Sequence, residues 1–169
     1  LMNEKAKELG MNGTHYANAH GLHDVEHYTT ANDMLKLTQY IMTLPAIMDM
    51  CTTTRYTIPK TNRSDERILA TSNLMTDRTQ TYYYSPVRGI KTGYTDPAGR
   101  CLISTASLDG YNYIAIVMGC PPKDESGKAV RYEYADTKAL YQWAFGTFEY
   151  KQIANENDPV DELPLQYAW

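Results

Sequence analysis

The sequence predicts an α+β protein in which helices come first and an antiparallel sheet follows. Apolar residues recur with helical spacing in the first part of the chain and again after residue 130. Strand-like runs cluster between residues 87 and 119. Tight turn sequences separate these runs, as in a meander. We therefore expect a helical subdomain segment over 1–84, a three-stranded antiparallel meander with a packed C-terminal helix over 85–148, and an acidic tail over 149–169.

Three helices are predicted before the sheet. The first spans residues 2–9, where apolar side chains share one face, and Gly10 is a typical helix stop. The second spans 30–41 and begins with Thr30, a hydroxyl N-cap that has an acidic residue at position N3. The third spans 45–50 and opens on a proline, which is favoured in the first helical turn.

The stretch between these helices and the sheet is predicted to be mostly irregular. Arg55–Ile58 alternates like a short strand, and Pro59 ends it. Residues 60–84 hold many polar groups and few apolar runs, so we expect a loop there with one helical turn near Ser72–Met75.

The sheet and its closing helix follow from alternation and turn chemistry. The predicted strands and turns are, in chain order, Val87–Tyr94, Asp96–Gly99, Cys101–Ser107, Leu108–Gly110 and Tyr111–Gly119. A polar loop then leads to a helix from Tyr134 to Phe145, with Gly146 behind it. The helix positions that we expect to pack on the sheet are Ala135, Ala139, Leu140 and Trp143.

Composition narrows the class of protein. With 43 % hydrophobic and 21 % charged residues, the chain is typical of a globular domain, and its net charge of −4 argues against a nucleic-acid binder. No stretch approaches the ~20 apolar residues of a membrane span, and no signal peptide is present. The chain starts at Leu1 with an amphipathic pattern already running, so we expect a processed or truncated product whose missing signal says nothing about its compartment.

A metal site is not predicted. The cysteines are widely spaced and form no C-x-x-C pair, and their odd number leaves at least one thiol unpaired: Cys51, Cys101 and Cys120. Four histidines have spacings that suit a metal: His15, His20, His23 and His27. No helix carries them and no cysteine lies near, so we interpret them as loop histidines satisfied by hydrogen bonds.

The tripeptide Lys91-Thr92-Gly93 is the main candidate for a functional site. Lys91 offers a fixed positive charge for a carboxylate, Thr92 offers a hydroxyl donor, and Gly93 allows a ligand backbone to come close. An ordinary solvated Lys-Thr pair at a strand end remains an equal alternative on the tripeptide alone. No Ser-x-x-Lys and no Ser-x-Asn occurs in the 169 residues, so no nucleophile accompanies the tripeptide in this chain.

The wider pattern is similar to the low-molecular-mass penicillin-binding proteins that act as serine D-alanyl-D-alanine carboxypeptidases. The resemblance runs from residue 1 to Phe148 and rests on the segments Gly10–Leu22, Tyr28–Met34 and Gly89–Thr95 with Ala98-Gly99. It implies part of a β-lactamase/transpeptidase-like fold, in which the catalytic serine and its lysine precede the segment that matches Leu1. It also implies that the tail from about residue 149 begins a second domain.

The same resemblance implies roles for five residues. Lys91 and Thr92 would bind the terminal carboxylate of a D-Ala-D-Ala stem peptide or of a β-lactam, beside Gly93. The backbone N–H of Tyr94 would be one oxyanion donor. Arg131 would help neutralise the carboxylate, although its register is shifted by about two residues, so an ordinary exposed arginine is the alternative.

Two hypotheses follow for the function. In the first, the chain is the C-terminal portion of a carboxypeptidase that trims peptidoglycan outside the cytoplasmic membrane, without a metal or cofactor. It would be inert in isolation, because the nucleophile is missing. In the second, the chain is a non-catalytic module that binds peptidoglycan, associates with itself or pairs with the missing N-terminal segment, because an incomplete sheet leaves an unpaired edge.

Overall fold

The computed structural model describes residues 1–151, and the predicted α+β class is confirmed. Its elements are, in chain order, α1 (Met2–Glu8), α2 (Ala31–Met42), α3 (Pro45–Thr52), β1 (Arg55–Ile58), β2 (Arg67–Ala70), β3 (Val87–Thr95), β4 (Gly99–Leu108), β5 (Tyr111–Cys120) and α4 (Tyr132–Thr147). None of these helices is both long and apolar enough to cross a membrane. Most of the predicted tail, from residue 152 onward, lies outside the described residues.

The start of α2 shows why the early helices form where the sequence predicts them. The Thr30 hydroxyl accepts a hydrogen bond from the Asp33 N–H at 3.1 Å, as an N-cap does. The Asp33 carboxylate in turn accepts from the Gly13 N–H at 2.7 Å and the Thr14 hydroxyl at 2.8 Å. Burial would raise the pKa of Asp33, but these hydrogen bonds and the Lys36 charge hold it below its usual value. The loop before α2 is thereby tied to the helix.

The strands β3, β4 and β5 form the predicted antiparallel meander in that order. The first hairpin places Thr95 opposite Gly99, which has a φ of +68°. A Cβ atom on Gly99 would lie 2.7 Å from the carbonyl oxygen of Cys120, so the position requires glycine. The second hairpin closes through Asp109 and Gly110, both with positive φ, as in a type I′ turn.

The helix α4 packs on β4 and β5, as predicted, but through a different face. The expected positions Ala135, Ala139, Leu140 and Trp143 are all exposed. The buried positions are instead Glu133, Tyr134, Thr137, Tyr141 and Ala144. Polar side chains can occupy this face because they find partners there: the Tyr141 hydroxyl bonds Ser104 Oγ at 2.9 Å and the Ala115 N–H at 3.1 Å.

The core lies between α4 and the sheet and includes one residue from the segment predicted as loop. Its buried members are Met75, Val87, Leu102, Ala106, Ala115, Tyr134 and Tyr141. Met75 is fully buried, and it anchors the connection between β2 and β3 beneath the sheet. The Met75 N–H also donates to Asn73 Oδ1 at 3.1 Å, which links the core to the loop beside the candidate site.

Three local expectations are wrong. Residues 67–70 form the strand β2, which pairs with β1 and is exposed at every position, so no apolar alternation marked it. The expected helical turn near Ser72–Met75 is a non-helical turn, in which the Thr76 N–H donates to the carbonyl oxygen of Asn73 at 3.2 Å. The helix α4 continues through Gly146 and ends one residue later, because an exposed glycine weakens a helix without ending it.

Candidate functional site

The Lys-Thr-Gly tripeptide lies in the second half of β3, on an edge strand. Within residues 1–151, β3 pairs only with β4, so its other edge carries no neighbouring strand. The side chains of Lys91 and Tyr94 are exposed, Gly93 is exposed, and Thr92 is half-buried. An extended peptide can therefore approach this edge and pair with it.

The Lys91 side chain is exposed on β3, the strand against which α3 packs. Its Nζ donates to the carbonyl oxygen of Thr92 at 2.5 Å. Burial raises the pKa of the Cys51 thiol on α3, and the positive charge of Lys91 partly offsets this effect. The helix approaches the strand closely, since a Cβ on Gly89 would lie 3.0 Å from the carbonyl oxygen of Cys51.

The Thr92 hydroxyl contacts a loop that follows β2. Thr92 Oγ1 lies 2.7 Å from Ser72 Oγ. The next residue in the loop, Asn73, is buried and donates from Nδ2 to the carbonyl oxygen of Gly89 at 2.9 Å. Its Oδ1 accepts from the Met75 N–H at 3.1 Å. The loop is thus fixed both to the strand and to the core, and it holds the Ser72 hydroxyl against the tripeptide.

The Tyr94 side chain is tied to the hairpin that ends β3. Its hydroxyl donates to Asp96 Oδ1, and the Arg100 guanidinium lies 5.0 Å from the ring centroid. The hydrogen bond to Asp96 raises the pKa of Tyr94, burial and the Asp96 charge add to this effect, and the Arg100 charge opposes it. The Tyr94 phenol therefore stays protonated at neutral pH. Its contacts with Asp96 and Arg100 fix the end of the strand.

Arg131 precedes α4 and is held by residues of that helix. Its Nε donates to Glu133 Oε1 at 2.6 Å, and its Nη2 donates to the Tyr134 hydroxyl at 3.0 Å. Burial would lower the pKa of Arg131, but the hydrogen bond and charge of Glu133 raise it. The structure does not bring Arg131 into contact with Thr92. It connects the two indirectly, because the Tyr134 hydroxyl donates to the carbonyl oxygen of Ser72 at 3.0 Å.

The remaining candidates from the sequence lie elsewhere. In the part of the chain that the structure describes, no three His, Cys, Asp or Glu side chains are grouped to hold a metal ion. His15 Nδ1 lies 2.5 Å from the carbonyl oxygen of Glu26, and His20 Nδ1 accepts from the Leu22 N–H at 3.1 Å. Among residues 1–151, His27 Nδ1 is buried without a hydrogen-bond partner, so the expectation that the loop histidines are satisfied is wrong for His27. The three cysteines are free thiols.

Sequence reasoning missed the residues that support the tripeptide. Ser72, Asn73 and Tyr134 lie 20, 19 and 42 positions from Thr92 in the chain, and only the fold brings them together. The adjacent polar residues Ser72 and Asn73, placed just before an apolar pair, were the single available signal. Nothing in the pattern of α4 distinguished Tyr134 from the other tyrosines of the chain.

Comparisons with known proteins place the chain in a family. The family model for D-alanyl-D-alanine carboxypeptidases matches residues 1–122. The D-alanyl-D-alanine carboxypeptidase DacF of Bacillus subtilis is 26 % identical over 98 % of this chain and 39 % of its own length. The corresponding DacA of Escherichia coli is 32 % identical over 88 % of this chain and 33 % of its own length.

A solved structure supplies the fold. Penicillin-binding protein D2 from Listeria monocytogenes, in its cefotaxime-bound form, is 28 % identical and superposes with a TM-score of 0.65 over 85 % of this chain and 53 % of that one. The chain therefore spans well under half of the two curated relatives and about half of the Listeria structure. Its architecture is part of the penicillin-binding, transpeptidase-like fold, and the chain belongs to the D-alanyl-D-alanine carboxypeptidase family.

Proposed function

We propose that this chain forms the wall of a serine D-Ala-D-Ala carboxypeptidase site that binds the substrate's terminal carboxylate. The observation that carries the proposal is the position of Lys91-Thr92-Gly93 on an open strand edge, with the ammonium exposed and the hydroxyl held by Ser72. An ammonium and a hydroxyl side by side match the charge and the acceptors of a carboxylate. The shared family and the cefotaxime-bound Listeria relative support this assignment.

In the complete enzyme, a serine hydroxyl from outside this chain would attack the carbonyl carbon of the penultimate D-Ala. A new ester bond forms, the peptide bond breaks, and the leaving amine of the terminal D-Ala takes a proton. Lys91 and Thr92 would hold the terminal carboxylate, Gly93 would let the peptide lie close, and the Tyr94 N–H would stabilise the oxyanion. Water then hydrolyses the acyl-enzyme. No residue of this chain supplies the nucleophile in this scheme, so we expect the isolated chain to be inert.

The substrate class and the location follow from this chemistry. The stem peptides of peptidoglycan end in D-Ala-D-Ala and lie outside the cytoplasmic membrane, so the complete protein would work there. A β-lactam presents an equivalent carboxylate beside a reactive carbonyl, and it would acylate the same serine. The scheme needs no metal or organic cofactor. Arg131 would act at a distance from the carboxylate, since Glu133 and Tyr134 already bind its guanidinium.

Covalent labelling with a fluorescent penicillin tests the proposal. The complete encoded protein should become labelled, and the 169-residue chain alone should not. Replacing Lys91 with alanine in the complete protein should slow labelling roughly 10- to 100-fold, because a charged hydrogen bond to the carboxylate is lost. The matched control is Lys7→Ala, an exposed lysine on α1. Labelling of the chain alone, or an unchanged rate for Lys91→Ala, would refute the proposed function.

A second candidate function is the pairing of this chain with another polypeptide segment or with a second copy of itself. Two observations favour it. On α4, the apolar side chains Leu140 and Trp143 are 46 % and 57 % exposed. In residues 1–151, β5 pairs with β4 alone, so its other edge is unpaired. Sedimentation velocity of the chain at increasing concentration would detect self-association. Replacing Trp143 with glutamate should abolish it, and a monomer at all concentrations would exclude a second copy as the partner.

A further inference from the structure

A hydrogen-bonded path connects α4 to the Thr92 hydroxyl. It begins at the buried carboxylate of Glu133, which fixes the Arg131 guanidinium at 2.6 Å. Arg131 Nη2 donates to the Tyr134 hydroxyl at 3.0 Å, and this hydroxyl donates to the carbonyl oxygen of Ser72 at 3.0 Å. Ser72 Oγ then lies 2.7 Å from Thr92 Oγ1. The path is hydrogen-bonded except within Ser72, where covalent bonds link the carbonyl oxygen that Tyr134 holds to the Oγ that meets Thr92.

The loop that carries Ser72 has little freedom to move away from the strand. The Leu74 N–H points to the Tyr134 hydroxyl at 3.4 Å, so α4 holds two consecutive peptide units on either side of Asn73. Asn73 itself is 3 % exposed and bonds the carbonyl oxygen of Gly89 on β3. Contacts from α4 and from β3 therefore fix the backbone on either side of Asn73, and with it the backbone of Ser72, independently of any ligand.

The direction of the Ser72–Thr92 hydrogen bond matters for ligand binding. A hydroxyl has one hydrogen and two lone pairs. If Thr92 directs its only hydrogen to a carboxylate, Thr92 Oγ1 can only accept from Ser72. Within residues 1–151, the Ser72 hydroxyl has no other hydrogen-bond partner, so its hydrogen is free to point at Thr92. The hydrogen bonds from Ser72 to Thr92 and from Thr92 to the carboxylate would strengthen each other, because each bond polarises the next.

We propose that Ser72 is a positioning residue for carboxylate recognition, which acts by donating to Thr92 Oγ1 and thereby turning the Thr92 hydrogen toward the ligand. Arg131 and Tyr134 support it by fixing the Ser72 backbone. This inference rests on the proposed function, because it needs a ligand carboxylate at Thr92. In this proposal Arg131 supports the site through Tyr134, whereas the family resemblance implies that it helps to neutralise the carboxylate.

The first experiment examines Thr92 in the 169-residue chain. Three-bond scalar couplings should show a single χ1 rotamer for Thr92 in the unmodified protein and an averaged rotamer in Ser72→Ala. The methyl shifts of Leu102, which is fully buried in the core, should not change. Ser72→Thr restores the hydroxyl and should restore the single rotamer. An unchanged Thr92 rotamer in Ser72→Ala overturns the inference.

The second experiment measures penicillin acylation of the complete encoded protein. Ser72→Ala should slow acylation about 3- to 10-fold, the range of one hydrogen bond, and Ser72→Thr should recover the rate. In a Thr92→Val background, Ser72→Ala should have no further effect, because Ser72 acts only through Thr92. A penicillin methyl ester, which lacks the free carboxylate, should be insensitive to Ser72→Ala. Ser126→Ala is the matched control, since that serine is also exposed and hydrogen-bonded, in the loop before α4.

The outcomes separate this inference from the proposed function. If the complete protein is not acylated, or if Lys91→Ala and Thr92→Val leave the rate unchanged, the proposed function fails and the role of Ser72 fails with it. If both of those variants are slow while Ser72→Ala matches the unmodified protein, only the role of Ser72 is refuted. An equal loss from Ser72→Ala with and without the Thr92 hydroxyl shows a merely structural effect and also refutes it.

Discussion

Replacing Tyr141 with phenylalanine tests how α4 is joined to the sheet. The Tyr141 hydroxyl is buried and bonds Ser104 Oγ at 2.9 Å and the Ala115 N–H at 3.1 Å. Phenylalanine keeps the ring volume but leaves both polar groups without this partner. A buried group without a partner costs about 1–3 kcal/mol, so we expect the free energy of unfolding to fall by roughly 2–3 kcal/mol. For a domain of this size, the melting temperature should drop by about 4–12 °C.

The same hydroxyl predicts a dependence of stability on alkaline pH. Burial raises the pKa of Tyr141 to about 12 from its ordinary value of 10.0, while the hydrogen bonds to Ser104 and Ala115 act in the opposite direction. Below pH 10 the phenol is protonated in both the folded and the unfolded chain, and its contribution is fully present. Between pH 10 and 12 the unfolded chain loses the proton first, so stability on the order of 2–3 kcal/mol is lost as pH rises.

Urea unfolding measures both effects. The unmodified chain, Tyr141→Phe and the control Tyr56→Phe should be compared at pH 7 and across pH 9 to 11; Tyr56 is 60 % exposed and should change little. Tyr141→Phe should be less stable at pH 7 and should lose less stability as pH rises. A variant within about 0.5 kcal/mol of the unmodified chain at pH 7 would mean that the hydroxyl bonds contribute nothing, since changes of that size are typical of surface sites.

Further outcomes follow from single contacts. Gly99→Ala should destabilise the chain by more than the ~1–2 kcal/mol of a strained φ, because the new Cβ would clash with the carbonyl oxygen of Cys120 at the end of β5. The control is Gly119→Ala, which has a similar φ of +74° but open space around the new Cβ. Equal losses of unfolding free energy in urea would contradict the clash. Lys91→Ala should slow alkylation of the Cys51 thiol at pH 8, because the Lys91 charge lowers the pKa of that thiol. Mass spectrometry measures the alkylation rate, and an unchanged rate would mean that the ammonium lies too far from Cys51 to act on it. Thr30→Ala should cost about 1 kcal/mol in the same unfolding assay through loss of the N-cap bond, and no loss would mean that solvent replaces it.

Periodicity and turn chemistry were sufficient to predict most of the sheet and the early helices. The hairpins at Asp96–Gly99 and Leu108–Gly110 carry glycine where a positive φ is needed, so the turns were visible in the sequence. The strand β2 was not visible, because Arg67–Ala70 is exposed on both faces and has no apolar alternation. A strand without a buried face leaves no pattern for sequence reasoning to detect.

The face of α4 was mispredicted because hydrophobicity was used as the measure of burial. Leu140 and Trp143 are apolar but exposed, whereas Tyr141 and Glu133 are buried and hydrogen-bonded. Polar side chains enter a core when the neighbouring strands or loops supply their partners, and these partners are known only once the chain is folded. The contacts of Arg131 could not be predicted for the same reason, since its partners are a buried carboxylate and a phenol whose positions only the fold determines.

In the candidate site, too, local sequence predicts which residues are present, whereas only the fold determines how their side chains are oriented. The position of the tripeptide on a strand was predictable, because Lys91-Thr92-Gly93 lies within the strand-like run Val87–Tyr94. The orientation of its side chains was not, because three separate elements determine it. The helix α3 approaches β3 at Gly89, the loop after β2 holds the Thr92 hydroxyl, and α4 holds that loop through Tyr134. Positioning groups before the ligand arrives reduces the entropy lost on binding. Variants in α4 that touch no ligand should therefore alter carboxylate recognition through the loop, and their effects should vanish when the Thr92 hydroxyl is absent.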